Sequence, residues 1–249
     1  MSADRPLSDR IALVTGASRG IGRAAALSMA EAGAHIVAVA RTQGALEALD
    51  DELRRAGHAP ATLVPMDIAE PDGFDQLGLA LHQRFGRLDI LVHAAAILGP
   101  ITPVFHIEPS HWDRVVAVNL TASYRLIRAM EPLLRVAAAP RAIFLTSGRA
   151  SRPKAFWGPY GVTKAGLEHL VRTWADELEQ THVRAVLLDP SVMRTRMRAE
   201  AMPGEDPAQL PDPSEIGPLI VELAQADLGL PTASVVFEDW KRAATRASA

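Results

Sequence analysis

The 249 residues are 48% apolar and 22% charged, the balance of a soluble globular protein rather than of a disordered or collagen-like chain. A net charge of −3 argues against nucleic acid or an anionic membrane as the main partner. With no cysteine, disulfides, thiol nucleophiles and thiolate metal sites are excluded together, and no metal site is expected.

The opening MSADRPLSDR carries charges and no apolar centre, which does not suit a signal peptide. The longest apolar run, Ile90 to Ile101, falls well short of the roughly 20 residues a spanning helix needs, so a cytoplasmic protein is expected. IALVT (11–15) predicts a first strand. HIVAVA (35–40), ATLVPM (61–66), DILVHA (89–94), AIFLTS (142–147) and VRAVLLD (183–189) repeat the type. Helical periodicity fills roughly 20–32, 43–56, 72–85, 110–135 and 159–180. Strands that are apolar throughout have both faces covered. Their alternation with helices predicts one α/β domain over 1–249, a Rossmann-type doubly wound parallel sheet flanked by helices on both faces. ASVVF (233–237) can add an edge strand, and the Pro-rich 203–215 reads as a long loop leading into a helix.

Directly after the first strand, TGASRGIG (15–22) places Gly16, Gly20 and Gly22 where a strand turns into a helix. Glycines there permit the tight turn and let backbone N–H groups approach a pyrophosphate. The second strand ends in Ala40-Arg41, with no acidic residue between Glu31 and Glu47. An acid at that strand end binds the ribose 2′-hydroxyl of NAD, whereas an arginine accommodates the 2′-phosphate of NADP. Arg41, with Arg19 inside the glycine loop, therefore predicts NADP(H) in preference to NAD(H).

PYGVTKAGLEHL (159–170) opens a helix with Tyr160 and Lys164 at i and i+4, hence on one face. A tyrosine is a poor acid–base catalyst at neutral pH, and a nearby ammonium is expected to lower its pKa. Ser147 ends the fifth strand, on the sheet edge where ligands bind. Asn119, in WDRVVAVNL, sits inside a long apolar helix where a buried amide is awkward. The plainer readings are a strand-end cap for Ser147 and a helix–sheet brace for Asn119.

Taken together, TGASRGIG, Asp67 of MDIAE, Asn119 of VNL, Ser147, the YxxxK of Tyr160 and Lys164, and PSVMRT (190–195) resemble the short-chain dehydrogenase/reductase family over nearly the whole chain. The resemblance implies a homodimer or homotetramer that interconverts a small-molecule carbonyl and alcohol, with Tyr160 as acid/base. It implies that Ser147 bonds the substrate oxygen, Lys164 holds the nicotinamide ribose, and Asn119 orders a water in a proton relay. Gly16, Ser18, Arg19, Gly20, Ile21, Gly22 and Arg41 would bind the phosphate end of the cofactor. Asp67 and Ile68 would face the adenine, Ala94, Ala95 and Ala96 would lie near the ribose, and Pro190, Met193 and Thr195 would contact the carboxamide end.

Three departures stand against that pattern. His93-Ala94-Ala95-Ala96 replaces Asn-Asn-Ala-Gly, so a positive φ at Ala96 would be costly; His93 reads as a brace between strands. Ser191 replaces the glycine of a Pro-Gly turn, a mild change if the turn is not left-handed. The C-terminal TASVVFEDWKRAATRASA lacks the usual glycine-rich ending. Residues 194–212 are expected to form a flap over the substrate, its Arg194, Arg196 and Arg198 either binding an anion or lying on a solvated face with the methionines turned inward. Ile97, Leu98, Arg149, Pro153 and Trp157 are expected to line a largely apolar pocket. A non-catalytic NADP-binding regulator or scaffold, and a related epimerase or dehydratase, are the competing readings.

Overall fold

The computed structural model describes residues 5–225 and 234–247. Seven strands form one sheet: β1 (Ile11–Thr15), β2 (His35–Ala40), β3 (Thr62–Pro65), β4 (Ile90–His93), β5 (Arg141–Leu145), β6 (Arg184–Asp189) and β7 (Ser234–Val236). Their order is β3-β2-β1-β4-β5-β6-β7 and every neighbouring pair is parallel. The predicted edge strand is β7; residue 233 lies outside the described residues, and Phe237 already begins a helix.

The connecting helices are α1 (Gly20–Glu31), α2 (Gln43–Arg55), α3 (Gly73–Phe85), α4 (Pro109–Val116), α5 (Ala122–Arg135), α6 (Gly158–Glu177), α7 (Arg196–Ala201), α8 (Gly217–Ala224) and α9 (Phe237–Ala247). The strands send alternate side chains to opposite faces. Ala12, Val14, Ile143 and Leu145 pack with Met29, Ile220, Leu223 and Phe237. Leu13, Ala142 and Phe144 pack with Phe74, Leu126, Met130 and Trp174. Two covered faces explain why the strands read as unbroken apolar runs. Among the described residues, no helix is long and apolar enough to cross a membrane.

The sheet reverses direction of winding between β1 and β4, so the loops after these strands part and leave a crevice at the carboxyl edge. The segment predicted as one helix over 110–135 contains a wider π turn, Ala117–Thr121, with Asn119 at its centre. Such turns insert a residue into a helix and re-aim its side chains.

Candidate active site

The glycine loop after β1 is shaped by contacts that no side chain would permit. Gly16 and Gly20 have φ of 72° and 54°. A Cβ at Gly16 would stand 2.9 Å from the backbone of Ala95, and one at Gly22 would stand 2.3 Å from the carbonyl oxygen of Gly16. The loop thus lies directly on the Ala94–Ala95 backbone. At the α1 N-terminus, Arg19 occupies the cap position without a side-chain hydrogen bond, and the first turn holds no acid. Free N–H groups and the positive end of the helix dipole suit a phosphate there.

Arg19 and Arg41 are both exposed at this end of the crevice. Asp67, just after β3, is held below the usual carboxylate range: its backbone bond from Ala69 and its ion pair with Arg114 at 2.7 Å outweigh a partial burial that acts the other way. Ile68 beside it is buried in the core.

At the other end stand Tyr160, Lys164 and Ser147. Tyr160 and Lys164 face inward from α6 and are only 7% and 4% exposed. The Ser147 hydroxyl is near enough to Tyr160 to favour its ionised form, and Ser147 Oγ accepts from the Arg149 N–H at 3.2 Å. Lys164 Nζ donates to the Leu145 carbonyl at 2.6 Å and lies 5.8 Å from the centre of the Tyr160 ring. The expected lowering of the tyrosine pKa by this lysine is not what the geometry produces. Burial pushes Tyr160 up to about 12, the Ser147 hydroxyl opposing it and the Asp189 charge adding to it. Burial likewise brings Lys164 down to about 8, against the raising influence of Asp189 and Glu168.

Asn119 is fully buried, and its amide is engaged three times. Oδ1 accepts from the Ile97 N–H at 2.9 Å, and Nδ2 donates to the Ile97 carbonyl at 2.9 Å and to Thr163 Oγ1 at 3.2 Å. Thr163 in turn donates to the Tyr160 carbonyl. Asn119 therefore clamps the loop after β4 to the helix turn between Tyr160 and Lys164, which is the brace reading.

The His93-to-Ala96 stretch raises no strain. Among the described residues, the non-glycine positions with positive φ are Asp9, Phe156 and Ser191; the left-handed residue of this loop is Gly99. Ser191 corrects the expectation of a mild change. Its φ of 60° is left-handed, a conformation that costs a non-glycine residue about 1–2 kcal/mol. Of the carboxamide-side residues, Pro190 is buried and Thr195 half-buried. Met193 turns its side chain into the core, leaving only its backbone toward the crevice. The methyl of Thr195 would be 3.5 Å from a Cβ at Gly20, so the 190–195 turn abuts the glycine loop.

The flap is more structured than an irregular loop. Thr195 caps α7 through a bond from the Arg198 N–H, and short 3₁₀ turns follow at Pro207–Gln209 and Pro213–Ile216. Its arginines are each paired within the flap: Arg194 with Asp212 at 2.6 Å, Arg196 with Glu200 at 2.7 Å, and Arg198 with both oxygens of Glu205. They hold the flap together and leave the anion reading without a vacant cation. Ala201, Met197 and Met202 pack with Leu98, Trp157 and Tyr160, forming an apolar cover over the tyrosine.

The expected pocket lining divides. Leu98 and Trp157 join that cover, Trp157 lying edge-on to Tyr160 with ring centres 5.8 Å apart. Ile97 is fixed by Asn119. Arg149 and Pro153 line a hollow of about 190 Å³ with Gly161, Val162 and Ala165, and Trp157 borders this hollow as well. Sequence reasoning also missed Thr163, Thr15 and Ser123, the hydroxyls that hold Asn119 and His93; each looks like an ordinary helix or strand residue.

Comparison with known proteins places the chain in a family. The chain is 34% identical over 224 residues to the uncharacterized oxidoreductase YciK of Escherichia coli K12, covering 89% of this chain and 88% of that one. A solved short-chain dehydrogenase from Pseudomonas syringae superposes with a TM-score of 0.91 at 36% identity, covering 95% of this chain and 97% of that one. Another, from Escherichia coli CFT073 and crystallised with NADPH, gives 0.89 at 32% identity over 94% and 98% of the two chains. The family model for short chain dehydrogenases matches residues 10–206, and with four-fifths of the length so accounted for, this chain belongs to that family of oxidoreductases.

Proposed function

We propose that the protein is an NADP(H)-dependent reductase of a small, largely apolar carbonyl compound, working reversibly on the corresponding alcohol. The observation that carries this reading is the buried Tyr160 with Lys164 one turn on and the half-buried Ser147 beside it, at the sheet edge that faces the uncapped α1 turn.

The residues present fit a dinucleotide. Gly16, Ser18, Gly20, Ile21 and Gly22 offer backbone to the pyrophosphate, in a turn so tight that Gly16 packs on the Ala95 backbone and Gly22 on the Gly16 carbonyl. Arg19 and Arg41 reach the 2′-phosphate, Asp67 and Ile68 edge the adenine, and Ala94, Ala95 and Ala96 floor the ribose. Lys164 holds the nicotinamide ribose, and Pro190, the Met193 backbone and Thr195 take the carboxamide end. The NADPH complex of the relative supports this choice of cofactor. When bound, the cofactor supplies hydride exchange with carbon.

The chain supplies the proton and the geometry. A phenol whose pKa is pushed to about 12 keeps its proton at neutral pH, as a donor to a developing alkoxide must. Ser147 donates to the same substrate oxygen and stabilises its charge. Asn119 and Thr163 fix the Ile97 loop against α6, so Tyr160 and the loop below the ribose keep one relative position. Leu98, Trp157, Met197 and Met202 exclude water and favour an apolar substrate body.

The test is a panel of apolar aldehydes and ketones with NADPH, read by cofactor absorbance. Turnover is expected, and Tyr160→Phe is expected to lower it by on the order of 10²–10⁴-fold with NADPH binding kept. Unchanged turnover in Tyr160→Phe defeats the mechanism. Binding without any turnover across the panel favours a regulatory or scaffold role instead.

A further inference from the structure

Two departures from the family pattern, Ser191 in place of a turn glycine and the unusual C-terminal segment, meet in the structure. Strand β7 pairs with β6 in a register that sets Val236 beside Asp189. The two chains leave the sheet side by side, so the residue two past Asp189 and the residue two past Val236 become neighbours. These are Ser191 and Glu238, and the Glu238 N–H donates to Ser191 Oγ at 3.3 Å. Ser191 thereby holds the second N–H of α9, a group that no intrahelical carbonyl can take.

The turn is anchored at both ends of this residue. The Ser191 N–H donates to Asp189 Oδ1 at 2.9 Å. On the other side α9 is fastened to the body of the protein. Phe237 is fully buried and stacks on Trp240. Trp240 Nε1 donates to Glu222 of α8 at 2.9 Å, and Lys241 pairs with Glu215 at 2.6 Å. A glycine would adopt the left-handed φ of 60° more readily, but it would leave the α9 N–H without this partner. Retention of a strained serine at the turn is accounted for by what its hydroxyl holds.

We propose that Ser191 is a positioning residue for the nicotinamide end of the cofactor, and that helix α9 sets the 190–195 turn through it. The proposal rests on the reading above that Pro190, Met193 and Thr195 meet the carboxamide. It predicts that the bond is worth affinity at that end alone. The adenosine end, bound at Arg19, Arg41 and Asp67, stays indifferent to it.

The experiment compares binding of NADPH with binding of adenosine 2′,5′-bisphosphate, which lacks the nicotinamide half. The variants are Ser191→Ala, Ser191→Gly, Ser191→Asn and Thr195→Ala. Ser191→Ala and Ser191→Gly are expected to weaken NADPH about fivefold, the worth of one net hydrogen bond, and to leave the bisphosphate unchanged. Ser191→Asn, which tolerates the left-handed turn and offers a side-chain acceptor, is expected to recover wild-type affinity. By reciprocity, NADPH is expected to slow hydrogen exchange of the 234–242 segment in the wild type and not in Ser191→Gly. If Thr195→Ala weakens NADPH while Ser191→Gly binds as tightly as the wild type, the coupling is overturned and the carboxamide reading stands. If none of the variants alters NADPH binding, both are overturned.

Discussion

His93 Nδ1 lies 2.7 Å from Thr15 Oγ1, tying the end of β4 to the end of β1 where the glycine loop begins. The other ring nitrogen, Nε2, is 3.0 Å from Ser123 Oγ, and Ser123 donates its one proton to the Asn119 carbonyl. Nε2 must then be the protonated nitrogen, and Nδ1 must accept from Thr15. The Ala95 N–H donates to Thr15 Oγ1, which completes a one-directional chain from the loop after β4 to the π turn. A neutral imidazole satisfies every member of this chain, and the brace reading of His93 follows.

Burial is the main cause that brings His93 down to about 3, with the Lys164 charge adding to it. The folded state therefore refuses a proton that the unfolded chain accepts near pH 6.5, and stability falls as pH drops below that value. Replacing the group by a neutral amide, His93→Asn, removes this contribution. Between pH 6.5 and 5.5 the wild type is expected to lose about 1 kcal/mol more than the variant. Urea denaturation at the two pH values measures the difference, and parallel losses in both proteins count against a buried neutral histidine.

In the proposed binding mode the NADP preference rests on Arg41, at the end of β2, together with Arg19. Arg41→Asp places a carboxylate where a 2′-phosphate is expected and where a 2′-hydroxyl can be accepted. NADPH is expected to bind more weakly by about tenfold or more, the range for a hydrogen bond to a charged group, while NADH holds or gains. Titration of nicotinamide fluorescence with both cofactors reads this directly. A preference unaltered by the change removes Arg41 from the 2′-phosphate site.

Much of the fold was legible because burial dictates composition. Ile11–Thr15 and His35–Ala40 match their apolar runs to the residue, since both faces of each strand are covered. What was not legible depends on partners distant in sequence. Nothing around Asn119 announces a π turn; the turn follows from an amide that must reach Ile97 and Thr163 at once. Ser191 reads as a tolerant turn residue until β7 brings Glu238 to it. The flap arginines look like a charged patch because Asp212 and Glu205, their partners, are separated from them by loop. Tyr160 and Lys164 were visible at i and i+4, but their proton affinities are set mainly by how deeply the flap and α6 bury them.

Ala96 provides a test of the loop after β4, which the proposed binding mode sets beneath the ribose. Because Ala96 is not left-handed, glycine there has no strain to relieve. Ala96→Gly is expected to lower stability by about 0.4–1 kcal/mol through the greater freedom of the unfolded chain. NADPH affinity is expected to stay within about twofold, less than one net hydrogen bond. A thermal shift upward in the variant would show that the loop carries strain at this alanine after all.

In the proposed mechanism Lys164 sets function against stability. Its ammonium is buried, makes one hydrogen bond, to the Leu145 carbonyl, and has its pKa lowered to about 8 from 10.5 chiefly by loss of water. A lysine that binds its proton less tightly when folded destabilises the fold while it stays charged, and that penalty fades as pH rises from about 8 toward 10.5. Lys164→Met keeps most of the side-chain volume and removes the charge. At pH 7 it is expected to stabilise the protein by about 2 kcal/mol, the pKa difference less the lost bond to Leu145, and to abolish turnover. The gain is expected to shrink at pH 9, because the wild type then folds with the amine neutral. Denaturation of both proteins at pH 7 and pH 9 distinguishes this from a packing effect, which would be the same at either pH. A destabilised Lys164→Met at pH 7 would mean that Asp189 and Glu168 hold the ammonium more firmly than burial weakens it.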